Sequence, residues 1–189
     1  MRRVFIGIIL IVVVLMVVMY IVGHKYNAQN VGFNNPIATK ILKQKGAKEI
    51  HLAVLKGDYD TLLNLINKGA DVNARTPDGT TPLHYGCSFG QTRCVELLLD
   101  HSANINVQDD GGFTPLSLAA CAGNVDIVEL LLSRGASIDI KNNGGYTPLQ
   151  VVLKFEDNLP SNPIANKLFS AYKKNLDACA QLLRDHGAK

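Results

Sequence analysis

The chain has 189 residues, 47% hydrophobic and 19% charged with no Trp, which suits one domain of ordinary size plus an appendage. A formal net charge of +3 is too small for a nucleic-acid binder, so no nucleic acid is expected among its partners. The four cysteines are too sparse for a disulfide scaffold and show no paired metal-ligand spacing.

The first element is apolar. From Val4 to Gly23 run twenty residues without a charge. As a helix they span about 30 Å, the thickness of a bilayer's hydrocarbon core. Lipid demands that backbone groups be satisfied within the segment, so helix is favoured over strand despite the many β-branched residues. The spacing predicts one transmembrane helix over residues 1–23, with the bilayer as a partner through residues 4–23. A cleaved secretory signal would need a shorter apolar core and a small-x-small site, and neither is present. Arg2 and Arg3 favour a cytoplasmic N-terminus with the remainder on the far side, while His24, Lys25, Lys40 and Lys43 pull the other way.

Residues 24–44 read as a basic juxtamembrane linker ending in a cap helix. Five lysines and no acid lie between residues 24 and 48, whereas the chain after Lys48 holds 12 basic and 16 acidic residues. The run Asn35-Pro36-Ile37-Ala38-Thr39-Lys40-Ile41-Leu42 has a helix N-cap, a proline at the first helical position and an amphipathic continuation. A similar run begins at Asn162-Pro163-Ile164-Ala165, and both are read as caps flanking what lies between.

That central part repeats every 33 residues. Gly57, Gly90 and Gly123 keep this step, as do Thr81, Thr114 and Thr147, each followed by Pro and Leu. Four repeats are expected, at about residues 45–77, 78–110, 111–143 and 144–189. The last carries an insertion at about residues 156–174, opening on a Pro- and Asn-rich breaker. Within a repeat, Thr81 caps a short helix, Gly90 ends it, and Cys94, Val95, Leu97, Leu98 and Leu99 form the apolar face of a second. One such pair cannot bury that face alone, so neighbours must stack.

Gly79-Thr80-Thr81-Pro82-Leu83-His84 and Gly69-Ala70-Asp71-Val72-Asn73-Ala74 resemble the signatures of the ankyrin-repeat family, over roughly residues 45–189. The resemblance implies an all-α solenoid of helix-turn-helix repeats with hairpin loops, behind the transmembrane helix. It implies a protein partner on the concave face, held by hairpin tips and the outward side of each first helix. Transferred by position, the tips are Arg75, Pro77, Asp78 and Thr80; Gln108, Asp110 and Phe113; Lys141, Asn143 and Tyr146. The helix positions are Ser88 and Phe89, Cys121 and Ala122, Lys154 and Phe155. Phe89, Phe113, Tyr146 and Phe155 make an aromatic patch of the kind that concentrates binding energy.

No constellation for catalysis stands out. His51 and His84 share a repeat position, which the resemblance implies braces the loops. His101 and His186 follow Asp at helix ends, where a cation suits the dipole. Asp109-Asp110 and Asn142-Asn143 precede glycines and lack the calcium-loop pattern, so they read as turns. Cys87, Cys94 and Cys179 fall at core positions; Cys121 falls on the more exposed side and is the one thiol placed where reactivity is worth testing, although a reactive role is not the expectation. There is no phosphate-cradling loop, nucleophile elbow or paired-carboxylate site.

The expectation is a membrane-anchored scaffold or adaptor that binds a protein and is not an enzyme, with no cofactor, no metal and no small-molecule substrate. The alternatives are a secreted ankyrin-repeat effector with a cleaved signal, or a membrane-bound accessory that positions or protects an enzyme.

Overall fold

Threonine-proline pairs begin three of the helices, and the backbone at each is held in the same way. The Thr81 N–H donates to His84 Nδ1 at 3.1 Å, the Thr114 N–H to Ser117 Oγ at 2.9 Å and the Thr147 N–H to Gln150 Oε1 at 3.1 Å. Proline at the first helical position gives up an N–H that would have had no intrahelical partner. Gly90 closes the first of these short helices in the left-handed region at φ 71°, as Gly57 does at φ 66° for the helix Glu49–Lys56 of the preceding repeat, and a β-carbon is disfavoured there.

The protein is represented by a computed structural model that describes Gly46, residues 48–157, Leu159 and residues 163–189. These form four helix pairs and no strand: α1 Glu49–Lys56 with α2 Tyr59–Asn67, α3 Pro82–Phe89 with α4 Thr92–Asp100, α5 Pro115–Cys121 with α6 Val125–Ser133, and α7 Pro148–Asp157 with α8 Pro163–Asp185. The first helices pack on one another in chain order, and the second helices form a parallel outer layer. Val54, Leu62, Leu83, Val95, Leu98, Leu116, Val128, Leu131 and Leu183 are each at most 1% exposed and make up one continuous core between the layers. Gly86 lets α3 approach closely: a β-carbon there would stand 2.8 Å from the Val95 side chain and 3.2 Å from that of Val54.

Polar side chains join each pair to the next. Asn73 accepts from the Asn104 N–H at 2.8 Å, and Asn106 accepts from the Ser137 N–H at 2.8 Å, so the loops after α2, α4 and α6 are stitched at one repeat position. Gln91 donates to the Leu55 carbonyl and Asn124 to the Cys87 carbonyl, tying the end of one first helix to the start of the next second helix.

The fourth pair departs from expectation. Residues 163–169 were expected as a separate cap within an insertion, but they are the opening turns of α8, which runs unbroken for 23 residues. From Ile164 to Asp185 there is no Gly or Pro to stop it. The first helix is also longer, reaching Asp157. No helix among the described residues is long and apolar enough to cross a membrane. The anchor expected over residues 1–23 and the linker and cap expected over residues 24–44 lie outside the described residues.

Candidate functional site

The two layers differ in what they show to solvent. The outer helices expose charges: Arg93, Glu96 and Asp100 on α4, Asp126 and Glu129 on α6. The first helices instead leave Tyr85, Leu118 and Val151 half-buried, one per repeat at the 33-residue step, with Phe89, Ala122 and Phe155 half-buried beside them. In the first pair the matching residue Leu52 is buried, as are Ala53 and Leu55. Of the helix positions transferred from the family, Ser88 and Phe89 on α3, Cys121 on α5 with Ala122 just after it, and Phe155 on α7 are half-buried, and Lys154 on α7 is exposed.

Sequence reasoning missed Tyr85. Its ring stacks on Phe89 at 6.3 Å and meets His51 edge-on at 5.6 Å, making a three-ring row along the first two repeats. The signal was present: Tyr85 precedes Phe89 by four residues, one helical turn on the same face. Burial, with the nearby Asp78 carboxylate, pushes the Tyr85 hydroxyl up to about 12, so it stays protonated and able to donate.

The hairpin tips form a ladder. Arg75 Nη2 donates to the Gln108 carbonyl at 2.8 Å, and Gln108 Nε2 to the Lys141 carbonyl at 3.0 Å. The Asp110 N–H donates to the Asp78 carbonyl at 3.1 Å, the Asn143 N–H to the Gly111 carbonyl at 3.0 Å, and Asn143 Nδ2 to the Asp110 carbonyl at 2.7 Å. Arg75, Gln108 and Asn143 thus join neighbouring tips with their side chains. Pro77, Asp78, Asp110 and Lys141 are exposed, and Thr80 is half-buried. Burial raises the Asp78 carboxyl, but hydrogen bonds from Thr76 and Thr80 outweigh it and hold the group below the ordinary carboxylate range.

Phe113 and Tyr146 are half-buried rather than freely exposed. Each ring lies over the glycine two residues before it, so that a β-carbon on Gly111 or Gly144 would come within 3.0 Å of the ring. The Phe113 carbonyl pairs with His84 Nε2 at 3.0 Å, and the Ala74 carbonyl pairs with His51 Nε2 at 3.0 Å, the bracing expected of these histidines. Burial lowers both histidine pKa values below 6.5, against the opposing pull of those carbonyls, so both rings are neutral near pH 7. His101 and His186 place Nδ1 at 2.9 and 2.8 Å from carbonyls of their own helix ends. At the end of the array Tyr146, Gln150, Leu153, Lys154 and Asp157 line a shallow open depression, and Lys154 Nζ lies 4.2 Å from the Tyr146 ring centroid.

Cys121, the one thiol singled out for possible reactivity, is not set up for it. The extended α8 brings Tyr172 against the end of α5, its hydroxyl donating to the Cys121 carbonyl. Burial, with a smaller contribution from Cys179, raises the Cys121 thiol to about 12, where almost no thiolate exists at neutral pH. Among the described residues no group of three or more His, Cys, Asp or Glu is placed to hold a metal ion.

Comparison with known proteins falls on the same part of the chain. Residues 50–143 match the family model described as ankyrin repeats in three copies. Over 53 residues, 28% of the chain, the sequence is 43% identical to the ARF GTPase-activating protein GIT1 of Homo sapiens, 7% of whose length is covered. It is 36% identical over 53 residues, again 28% of the chain, to the SMC5-SMC6 complex localization factor protein 1 of Mus musculus, 5% of which is covered. It is 37% identical over 54 residues, 29% of the chain, to protein phosphatase 1 regulatory subunit 27 of Mus musculus, 35% of which is covered. The chain therefore spans only a small part of these relatives. Helix pairs, the 33-residue step and the family match coincide, and residues 50–143 are ankyrin repeats.

Proposed function

We propose that this protein is a membrane-anchored interaction module. It holds a protein partner on the face built from its hairpin tips and first helices, and performs no chemistry of its own. In this reading residues 1–23 anchor the chain with the N-terminus cytoplasmic, and residues 24–44 supply a basic linker and a cap. Residues 45–189 present the repeats on the far side of the bilayer.

One observation carries the binding face: half-buried apolar side chains recur at Tyr85, Leu118 and Val151, while the outer layer exposes charge. Aromatic and aliphatic groups on an otherwise solvated surface are where binding energy concentrates. The cap is supported by the run from Asn35 to Leu42, which reads as a helix N-cap, a proline at the first helical position and an amphipathic helix. The anchor is supported by the uncharged run from Val4 to Gly23. One relative is named as a regulatory subunit, a role that requires binding another protein.

Photo-crosslinkers placed at Ser88 and at Lys154 in the full-length protein should trap a partner that one placed at Glu96 on α4 does not. Equal trapping from Glu96 would move the site to the outer layer. Membranes washed with carbonate should retain the full-length species; a soluble form beginning near residue 24 would remove the anchor.

A further inference from the structure

Asn143 is the one asparagine of this chain that is followed by a glycine, and both residues are exposed at the hairpin tip before α7. The side-chain carbon Cγ of an asparagine lies within reach of the backbone nitrogen of the next residue, and a glycine leaves that nitrogen unshielded. Attack closes a five-membered succinimide. The bond from the Gly144 nitrogen to Asn143 Cγ forms, the Cγ–Nδ2 bond breaks, and Nδ2 leaves as ammonia with the Gly144 proton. Water then opens the ring at Cγ to give aspartate, or at the backbone carbonyl carbon to give isoaspartate. Water is the only co-reactant.

The folded tip opposes this step. The Gly145 N–H donates to the Asn142 carbonyl at 2.8 Å, closing a turn with Asn143 and Gly144 at its centre. Gly145 takes a positive φ and neither central residue does. That is a type I turn, in which the first central residue holds ψ at about −30°. Closing the succinimide brings Cβ, Cα, the carbonyl carbon and the next nitrogen close to one plane, so ψ must rotate far from that value. Three further bonds resist the rotation. The Gly144 N–H donates to Asn142 Oδ1 at 2.9 Å, the Asn143 N–H to the Gly111 carbonyl at 3.0 Å, and Asn143 Nδ2 to the Asp110 carbonyl at 2.7 Å.

The tip before α5 is stitched to tips on both sides, but among the described residues the tip before α7 is stitched to one. Local opening costs less where fewer contacts must break. We propose that Asn143 is a deamidation site guarded by this turn: it reacts when the tip opens, and its product cannot rebuild the last rung of the ladder. The new carboxylate has no N–H to give the Asp110 carbonyl. At the same repeat position in the tip before α5, Asp110 has Arg75 3.9 Å away. The residue one repeat after Arg75 is Gln108, which carries no charge. Isoaspartate also lengthens the backbone inside the turn.

The test follows conversion of Asn143 by peptide mass spectrometry, as a gain of one dalton, in the full-length protein held in lipid nanodiscs and in the urea-unfolded chain. Heavy-oxygen water separates conversion during incubation from conversion during digestion. The unfolded chain should react at least about tenfold faster, since damage follows the population of the open form. Asn142→Ala removes the acceptor of the Gly144 and Tyr146 N–H groups and should speed the folded reaction at least about fivefold, with the unfolded rate unchanged. Asn142→Asp should keep the slow rate, because Asp109 Oδ1 accepts the matching Gly111 and Phe113 N–H groups in the tip before α5. Asn143→Asp, one of the two products, should lower the melting temperature by about 2 to 4 °C. No conversion in urea would remove the site. Equal rates folded and unfolded, or an Asn142→Ala rate equal to that of Asn142→Asp, would remove the guard. An Asn143→Asp protein as stable as the original would show that the product fits the ladder and overturn the last part of the proposal.

Discussion

The Tyr172 hydroxyl donates to the backbone carbonyl of Cys121, across 51 residues of chain. In earlier repeats the equivalent link comes from Gln91 to Leu55 and from Asn124 to Cys87, each from the residue preceding a second helix. The fourth second helix begins early, at Pro163, so no capping residue stands at that place. A tyrosine partway along α8 supplies the donor instead. Tyr172→Phe should therefore lower stability by about 1 kcal/mol, the worth of one hydrogen bond. Tyr172→Ala should cost about 3 kcal/mol or more and open Cys121 to thiol reagents. Denaturant midpoints and labelling rates check both. Unchanged labelling of Tyr172→Ala would show that Tyr172 does not cover the thiol.

His51 and His84 make stability depend on pH. Burial lowers their folded-state pKa values below the ordinary 6.5. As pH falls, the unfolded chain takes up protons first, so stability is full above about 6.5 and declines below it. Urea midpoints should drop between about pH 7 and pH 5, above the range in which most carboxylates titrate. Replacing both histidines by Gln, the residue that holds the Thr147 N–H in the fourth repeat, should flatten that slope while lowering the midpoint at pH 7. A double variant with the original slope would place the titrating groups elsewhere.

Leu98→Ala should destabilise by roughly 2 to 5 kcal/mol, because Leu98 is fully buried between the helix layers and the cavity cannot collapse easily. Stability in a stacked array resides in neighbour interfaces, so the loss should appear as one cooperative shift of the melting curve. A change below about 1 kcal/mol is incompatible with the burial described.

Ser102 sits at φ 64°, the one residue other than glycine with positive φ among the described residues. Gly69 and Gly135 hold the same repeat position at φ 83°, and a β-carbon on either would meet nothing within 4 Å. The serine there is strained rather than crowded. Ser102→Gly should gain about 1 kcal/mol by removing left-handed strain. The Ser102 carbonyl that accepts from Asn73 is kept by the change. A lower melting temperature would mean that the serine side chain holds something its backbone does not.

Much of the repeat architecture was legible because it is written in local chemistry. Thr81-Pro82, Gly90 and the apolar spacing of Cys94, Val95 and Leu98 each act within a few residues, and a 33-residue period repeats them until their phase is plain. The bracing by His51 and His84 that the resemblance implied is also present, although the two rings meet different loop carbonyls, those of Ala74 and Phe113.

Two kinds of fact came only from the packed structure. One is the fate of the fourth repeat. Asn162-Pro163 reads as a new helix start, and it is one, but whether that helix ends before Cys179 depends on contacts with α5 and α7 made through Tyr172 and Phe155. The other is which tip residues face solvent and which serve the fold. Arg75, Gln108 and Asn143 look alike in sequence as exposed polar groups. Only with the repeats side by side do their side chains meet carbonyls 33 residues away, and Tyr85 take its place against Phe89 and His51. Caps and periods are local, so the sequence by itself determined the repeat and its helices. Hydrogen bonds and ring contacts between repeats are distances across space, and only the tertiary structure decided those.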